Sequence, residues 1–485
     1  MQKILAVLAS KKLFWLIVVL FILESVWITI SFRYPMIYDE GFHFSVIEIF
    51  SHQLSPFISN QPPQYDTYKD LSHMGSLLYH YLMSFPYRII AGFTDSLEGR
   101  VVSLRIINVL MVAIGLWIFA RLFRKIGIKQ IFVNLALLFF ILIPIVPFVS
   151  AHVNYDNMLF PLTAWYLLLC VQLIKNKKIN WQTYAGLVAV GCAASLVKFT
   201  FLPIFAVSII YLAVVLYRRH GKKFFTKLLA SLKKAQRSHL VVAAVVLLVL
   251  VSMFTVVYLQ NVVRYGTPQP TCTQTMAKQR CLANSTVRRN LDALEARDQN
   301  PAKSLVGYTE EWFNAMLSGS IASAANTAKG AVPAQALPAM PTLMFFGIFL
   351  GLGILIYAWR ALRKNESWYF LLTMVVVLTV AVFLDNYHIY LTYHVGFAIQ
   401  PRYLISVLPI ALVMILMASN FILRKSRWLK AACLAVILLA FTQGGGAVTH
   451  ILRSDDTWYW QNPKVIKANH GAKKILKPFI KEHVN

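Results

Sequence analysis

Two adjacent acids, Asp39 and Glu40, lie in the stretch IYDEGFHF, directly after the first long apolar run. An Asp before an amphipathic helix commonly caps its N-terminus for about 1 kcal/mol, and that role needs only one acid. The second charge is costly at a partly desolvated boundary. Paired carboxylates there suit a divalent cation such as Mg or Mn, or a general base acting on a hydroxyl. Helix capping and a catalytic or metal site are therefore the two interpretations.

Further charged residues are expected at the same membrane level. Asp156 lies in the polar turn SAHVNYDNMLF, Lys198 in SLVKFTFLP, and Arg402, followed by Tyr403, in IQPRYLISVLP. Arg holds a phosphate through two parallel hydrogen bonds and Lys holds it as a point charge. The competing explanations are that Asp156 caps a helix and that the two cations snorkel to lipid headgroups.

Three more residues join the candidates by position. Arg33 precedes the acid pair, and His43 follows Asp39 by four residues, so a helix beginning near Asp39 would bring His43 to the same pocket. Glu24 lies inside the first apolar run, where an acid usually faces a cavity. No H-x-x-x-H or C-x-x-C spacing supports a zinc site.

Composition defines the class of protein that must position these residues. The chain of 485 residues is 58% hydrophobic and 14% charged, whereas about a quarter of the residues in soluble domains are charged. Its apolar runs have the length of about 17–25 residues that crosses a bilayer as helix, without the alternation of barrel strands. We predict an all-α polytopic membrane protein with eleven transmembrane helices, at 13–32, 101–120, 130–149, 157–174, 182–197, 201–217, 239–260, 342–359, 367–385, 403–423 and 429–448.

The basic residues predict the orientation. Loops on one side hold 25 Lys and Arg residues and one acid, Glu366, while 17 of the 19 acids fall on the other side. By the positive-inside rule the N-terminus is cytoplasmic, and the C-terminus and the candidate site are extracytoplasmic. We expect a bacterial inner membrane. The net charge of +28 is then mainly a topological signal, and nothing indicates nucleic-acid binding.

The predicted organisation has four parts: 1–260 with a first outer loop at 33–100, a large outer loop at 261–341, membrane helices at 342–448 and a tail at 449–485. The first outer loop carries two amphipathic candidates for interfacial helices, 41–54 and 70–85. Cys272 and Cys281 are expected to form a disulfide in an oxidising compartment. The Ala/Gly/Pro-rich end of the large loop predicts a mobile loop or lid, and DDTWYW in the tail an aromatic interfacial anchor.

The order and membrane side of these motifs resemble the GT-C glycosyltransferases, which take a sugar from a polyprenyl-phosphate carrier. The sequence looks most similar to their protein O-mannosyltransferase and lipid A aminoarabinose transferase branch. The matching pieces are YDEGFHF, AHVNYDNMLF, SLVKFTFLPIF and QPRYLISVLPI, within 13–217 and 385–423. The region 261–341 matches no acceptor-binding domain.

The resemblance implies roles for five residues. Asp39 would be the catalytic base or a metal-side carboxylate, with Glu40 as its companion. Asp156 would be the second outer acid, and Lys198 and Arg402 would hold the lipid phosphate. The implied partners are a polyprenyl-phosphate sugar, membrane lipid and an acceptor that is a lipid, a glycan or a protein.

Other functions stay open beside this one. A transporter or flippase would show charges at mid-membrane or helices broken in both halves of the chain. An O-antigen-ligase-like transferase would use a large late outer loop with Arg and His. The loop 261–341 has Arg280, Arg288 and Arg289 but no histidine. A purely structural membrane partner is the fourth possibility.

Overall fold

The computed structural model describes residues 2–58, 61–176, 178–321, 324–327, 330–333, 339–363, 365–423, 426, 428–432, 434–435, 438, 450–452 and 454–476. The α-helices are α1 Gln2–Leu8, α2 Lys11–Ser31, α3 Glu40–Ser51, α4 Leu78–Ala91, α5 Leu97–Lys125, α6 Gln130–Leu142, α7 Ile145–Ser150, α8 Asp156–Lys175, α9 Trp181–Val197, α10 Leu202–His220, α11 Lys223–Lys233, α12 Arg237–Phe254, α13 Gln260–Tyr265, α14 Cys272–Thr275, α15 Lys278–Cys281, α16 Ser285–Glu295, α17 Leu305–Ile321, α18 Ala339–Leu362, α19 Glu366–Tyr393, α20 Leu408–Ile422 and α21 Pro463–Leu476.

Short elements connect these helices. The 3-10 turns are Pro63–Tyr68, Phe199–Phe201, Arg297–Gln299, Pro401–Leu404 and Asp456–Trp458. A π turn, Thr255–Leu259, joins α12 to α13. Two short antiparallel strands, β1 Ala324–Thr327 and β2 Gly330–Pro333, form a hairpin in the large loop. Other parts of the stretch predicted to be a mobile lid lie outside the described residues.

The chain is an integral membrane protein built from helices. Six helical segments in the described part are long and apolar enough to cross a membrane: Lys11–Ser31, Leu97–Lys125, Asp156–Lys175, Phe199–His220, Arg237–Tyr265 and Glu366–Tyr393. Shorter apolar helices lie at Gln130–Leu142, Trp181–Val197, Gly347–Arg360 and Leu408–Ile422. These segments coincide with ten of the predicted spans. The eleventh, 429–448, lies largely outside the described residues, so the count of eleven stays a prediction.

Three spanning helices have their C-terminal ends close together, as the predicted order of membrane crossings requires. Lys175 Nζ donates to the carbonyl of Lys125 at 2.8 Å, and Arg219 donates to the carbonyls of Leu173 and Asn176 at 3.1 Å. These contacts join the C-terminal ends of α5, α8 and α10. At the opposite end of α8 and α10 lies the candidate site, since Asp156 begins α8 and Lys198 precedes the short turn that leads into α10. Which end faces the cytoplasm stays a prediction.

The first outer loop forms two packed helices. Helix α3 agrees with its predicted position, but α4 begins at Leu78 and not near residue 70. Asp70 instead organises a turn, because its carboxylate accepts from the main-chain N–H of Ser72 at 2.9 Å and pairs with His73 Nδ1 at 2.7 Å. Arg88 of α4 donates to the carbonyl of Ser51 at the end of α3, at 2.7 Å. The second helix prediction was therefore wrong in its start.

A disulfide fastens the large outer loop. Cys272 and Cys281 are bonded, as the sequence predicts. Beside them Arg280 donates to both carboxylate oxygens of Asp66, each at 2.7 Å. Asn284, which begins a glycosylation sequon, is buried and donates to the carbonyl of Thr67 at 2.6 Å. The first part of the large loop is thus fixed to the connector between α3 and α4.

The tail residues complete the end of the first span. The main-chain N–H of Arg33 donates to the carbonyl of Trp458 at 2.9 Å, and that of Trp460 donates to the carbonyl of Ser31 at 3.0 Å. The ring of Trp458 is buried, edge-on to Phe32 at 5.6 Å between ring centroids. The predicted interfacial anchor was wrong for this residue, since its ring packs inside the protein.

Replacing Trp458 with Ala tests whether the packing of its ring against Phe32 stabilises the protein. We expect Trp458→Ala to lower the free energy of unfolding by about 3–5 kcal/mol, because it removes a large buried ring. Equilibrium unfolding of the solubilised protein measures the change. Lys467→Ala, an exposed position on α21, is the control, and equal effects of the two variants would contradict the packing role.

Candidate functional site

Four predicted site residues from separate parts of the chain meet at one end of the helices. Asp39 Oδ2 accepts a hydrogen bond from Arg402 Nη2 at 2.6 Å, and Arg402 Nη1 lies 3.9 Å from Asp156 Oδ2. Lys198 Nζ donates to Asp156 Oδ1 at 2.6 Å. The order Asp39, Arg402, Asp156, Lys198 therefore alternates in charge. We call these four residues the charge cluster.

The ends of the spans position the charge cluster. Asp39 lies in the link after α2, Asp156 is the first residue of α8, and Lys198 follows α9 in an extended conformation. Arg402 belongs to the 3-10 turn before α20. Pro203 stands in the first turn of α10, where a missing N–H costs nothing, and so allows the tight reversal after Lys198.

Asp39 is held in an unusual backbone conformation. Tyr38 and Asp39 both have positive φ, 65° and 67°. Such a conformation costs about 1–3 kcal/mol for a residue other than glycine, and persists only when surrounding contacts fix it. Here the carbonyl of Tyr38 accepts from Arg402 Nη1 at 2.9 Å and from Asn154 Nδ2 at 3.0 Å. The Asp39 side chain makes no capping hydrogen bond, so the capping interpretation was wrong.

Exposure separates Asp39 from the rest of the charge cluster. Its side chain is 59% exposed, whereas that of its partner Arg402 is 2% exposed. The side chains of Lys198 and Asp156 are 2% and 5% exposed. Asp39 is therefore the member of the cluster that a substrate can reach, and the others lie behind it.

Aromatic rings cover the buried cations. Lys198 Nζ lies 4.5 Å from the ring centroid of Tyr155 and 4.4 Å from that of Tyr403. The predicted substrate-binding residue Tyr403 thus packs against Lys198, and it also lies beside Arg402. Burial lowers the pKa of Lys198 to about 8, although the nearby Asp156 carboxylate favours the charged form.

The two adjacent acids have different surroundings. Glu40 is fully buried, and its Oε1 accepts from Arg105 Nε at 2.7 Å and from the N–H of Val153 at 3.1 Å. Its Oε2 accepts from Arg105 Nη2 and from the N–H of Met36, both at 2.7 Å. Burial raises the pKa of Glu40, but Arg105, together with His152 and the N–H of Met36, outweighs it and holds that pKa below its usual value.

These contacts are inconsistent with a metal ion bound between Asp39 and Glu40. Both oxygens of Glu40 already accept two hydrogen bonds each, and Asp39 is paired with Arg402. Within the described ranges, no group of three or more His, Cys, Asp or Glu residues could hold a metal ion. A divalent cation does not fit this arrangement, and the metal role assigned to Glu40 is corrected to a positioning contact with Arg105.

The remaining predicted residues lie beside the cluster. His43 is buried in α3, and its Nδ1 is 2.8 Å from His80 Nε2. Arg33 is joined to the tail through its main-chain N–H, and its carbonyl accepts from Arg105 Nη2 at 3.4 Å. Glu24 lies in α2, where its Oε1 is buried and accepts no hydrogen bond from the described residues.

Arg105 and Lys69 were not predicted from the sequence. Arg105 lies inside the predicted span 101–120, and a charge inside a span is itself a signal of function or pairing. Lys69 has no such signal. Its φ is 64°, its side chain is exposed, and the surrounding protein lowers its pKa, while the charge of Asp39 raises it and that of Arg289 lowers it. Lys69 therefore interacts electrostatically with both Asp39 and Arg289.

The fold and site together define a polytopic helical membrane protein with a cluster of paired charges at one end of its helices. No protein family and no curated protein matches the sequence. The chain is similar to a crystal structure of the Archaeoglobus fulgidus oligosaccharyltransferase in complex with Zn and sulfate, with 15% identity and a TM-score of 0.46 over 89% of this chain and 53% of that one.

A second solved structure shows a comparable degree of similarity. It is the archaeal oligosaccharyltransferase AglB from Archaeoglobus fulgidus, in complex with an inhibitory peptide and a dolichol-phosphate. Identity is 13% and the TM-score is 0.45, over 95% of this chain and 59% of that one. The chain therefore spans between about half and three fifths of the length of these structures.

Removing one charge from the buried pair tests the role of Glu40. We expect Glu40→Gln to lower the free energy of unfolding by about 3–5 kcal/mol, because it leaves Arg105 buried without a counter-charge. Equilibrium unfolding measures this loss. Glu295→Gln, at an exposed position, is the matched control and should show no measurable change. A Glu40→Gln protein as stable as the wild type would contradict the structural role.

Proposed function

We propose that the chain is a membrane glycosyltransferase of the GT-C type. It would move a sugar from a polyprenyl-phosphate carrier to an acceptor hydroxyl on the extracytoplasmic face, with Asp39 as the base. The observation that carries this proposal is the position of Asp39: an exposed carboxylate, fixed by a buried Arg, in a cluster drawn from four span ends. The proposal rests on this geometry and not on the overall likeness to oligosaccharyltransferases.

Asp39 has the properties that a general base needs. Its carboxylate is accessible, and Arg402 fixes one oxygen at 2.6 Å, which holds the side chain in one orientation. The positive-φ turn and the two donors to the Tyr38 carbonyl fix the main chain beside it. A preorganised base of this kind contributes about 10²–10⁴-fold to a rate.

We divide the cations near Asp39 into two sets. Arg402 and Lys198 already donate to carboxylates and are buried, so we assign them to holding Asp39 and Asp156 in place. Lys69 is exposed, and its charge interacts with that of Asp39. Arg289 lies over the ring of Phe397, 4.0 Å from its centroid. Arg289 is exposed and donates to the Asn290 side chain at 2.9 Å, a contact that a phosphate could replace. We therefore assign the incoming phosphate to Lys69 and Arg289.

These positions are compatible with the following reaction. Asp39 takes the proton of the acceptor hydroxyl as the hydroxyl oxygen bonds to the anomeric carbon of the sugar. The bond between that carbon and the carrier phosphate oxygen breaks, and the phosphate leaves with the electron pair. Attack opposite the leaving group inverts the anomeric centre. Cations fixed beforehand stabilise the charge that develops on the phosphate, commonly the largest contribution to catalysis.

The structure gives less support to a ligase-like transferase or a transporter. Arg280, which a ligase-like reaction would need free, is paired with Asp66, and Arg288 donates to the carbonyl of Leu282. A transporter would need its charges at mid-membrane. In the part of the chain described, the charge cluster lies at helix ends.

Asp39→Asn tests the proposed base. It preserves the side-chain shape and an oxygen that accepts from Arg402, but it cannot take a proton. We expect a loss of about 10²–10⁴-fold in rate. The measurement is release of polyprenyl phosphate from polyprenyl-phosphate mannose, glucose and galactose by the purified protein.

Asp95→Asn, another exposed outer acid, is the control and should keep the wild-type rate. Arg402→Ala should also lose activity, because Asp39 then loses its fixed orientation. Wild-type rates in both Asp39→Asn and Arg402→Ala would rule out this assignment.

The lowered pKa of Lys198 predicts an alkaline limit of activity. As pH rises through about 8, its ammonium group loses a proton and Asp156 loses its counter-charge, so the rate should fall. Lys198→Arg stays charged throughout this range and should move the limit to higher pH. The pH–rate profiles of wild type, Lys198→Arg and Lys69→Arg measure this. An unmoved limit in Lys198→Arg would exclude Lys198 as its source, and a limit that moves in Lys69→Arg would assign it there.

A further inference from the structure

Helix α11, Lys223–Lys233, lies at the end of the molecule opposite the charge cluster. It connects the spanning segments Phe199–His220 and Arg237–Tyr265. Consecutive spans leave and re-enter the membrane at the same face, so the segment between them begins and ends there. The 11 residues of α11 extend about 16 Å as helix, which keeps α11 close to this face.

Contacts with the start of α9 hold α11 in place. The main-chain N–H of Trp181 donates to Ser231 Oγ at 3.2 Å. The rings of Tyr184 and Phe224 are edge-on, with centroids 5.6 Å apart. Gly221, with a φ of 53°, turns the chain between α10 and α11 in a conformation that favours glycine. One side of α11 is therefore packed against α9.

The exposed surface of α11 is divided into an apolar face, Phe225 and Leu229, and a basic face, Lys223, Lys227 and Lys234. The two apolar side chains are four residues apart, and they are 71% and 58% exposed. The three lysines are exposed, and their spacing of four and seven residues places them on the opposite side of the helix. A topological signal needs basic residues but not this separation. The separation is typical of a helix that lies in the membrane interface.

The charge around α11 has one sign. The stretch 218–237 contains eight Lys and Arg residues and no acid. Glu366, the single acid predicted on this side of the membrane, lies 3.7 Å from Arg219. Within the described ranges, no ion pair includes a lysine of the basic face. Clustered basic residues beside a membrane are attracted to anionic lipids, which would supply the missing counter-charge.

We propose that α11 is an interfacial helix that binds anionic phospholipids. The apolar face lies at the boundary of the acyl chains, as exposed apolar side chains of interfacial helices do. The basic face lies at the level of the headgroups, where its ammonium groups contact phosphate oxygens. This surface is separate from the charge cluster, and its occupant does not depend on the reaction proposed for Asp39.

Quenching by brominated acyl chains tests the apolar face. The full-length protein is reconstituted in vesicles of phosphatidylcholine and phosphatidylglycerol, with or without bromine on the acyl chains. Bromine there quenches tryptophans that reach the apolar layer. We expect it to quench the fluorescence that Phe225→Trp adds to that of the wild type. Ala230→Trp, at an exposed position away from the apolar face, is the control and should be quenched less.

Lipid preference tests the basic face. Native mass spectrometry of the purified full-length protein measures retained phosphatidylglycerol relative to phosphatidylcholine. The wild type should retain more of the anionic lipid. The triple variant Lys223→Gln, Lys227→Gln, Lys234→Gln should lose roughly tenfold or more of that preference, because each Lys near an anionic surface strengthens binding several-fold. The triple variant Lys464→Gln, Lys467→Gln, Lys474→Gln removes equal charge from exposed positions on α21 and should keep most of it.

Four results would overturn the inference. Equal losses in the two triple variants would mean that net charge alone sets the preference. A wild type that retains both lipids equally would exclude anionic lipid as the occupant. Equal quenching of Phe225→Trp and Ala230→Trp would exclude an interfacial orientation. No quenching of Phe225→Trp would leave the apolar face to a soluble protein partner.

Discussion

The guanidinium group of Arg402 is the constraint on which the site depends. A buried Arg needs partners for its donors, and removing such a partner is costly. Here the partners are the Gln400 side chain at 2.6 Å, the carbonyl of Tyr38 at 2.9 Å and the carboxylate of Asp39 at 2.6 Å. One side chain from late in the sequence therefore fixes both the main chain and the carboxylate of the link after the first span. The strained turn at Tyr38 and Asp39 can persist because Arg402 donates hydrogen bonds to the Tyr38 carbonyl and the Asp39 carboxylate.

The adjacent acids Asp39 and Glu40 form two separate ion pairs with different roles. Glu40 and Arg105 form a sealed pair that also gathers the carbonyls of Thr29 and Phe32 at the end of α2. Asp39 points the other way and keeps contact with solvent. Because one acid is buried with a full set of donors, the α3 helix begins in a fixed place. The other acid is then presented at a fixed position, which a mobile surface carboxylate could not provide.

The sequence predicted the helical membrane class and most apolar segments, because hydrophobic runs of spanning length are a strong signal. It also placed Asp39, Asp156, Lys198 and Arg402 at span ends on one side, and the structure brings them together. It did not show the partners. Glu40 looked like a companion of Asp39 because they are neighbours in sequence, while its true partner, Arg105, is 65 residues away.

The other wrong predictions also concern contacts that the sequence pattern does not show. The start of α4 depended on a local competition in which the Asp70 carboxylate stabilises a turn in place of helix. Trp458 has the composition of a membrane-interface anchor, and only its tertiary contacts show a buried ring. The bond between His43 and His80 joins two helices whose relative packing no periodicity specifies.

The main-chain bonds between residues 31–33 and 458–460 have a consequence for biosynthesis. A ribosome releases the first span several hundred residues before the segment that completes its outer end. During that interval the link bearing Asp39 also lacks Arg402, so a half-made chain would insert in the membrane before the charge cluster can form. Assembly of the charge cluster thus becomes a late step, which follows translation of residue 402, and the first span gains its last main-chain partners only once 458–460 are made.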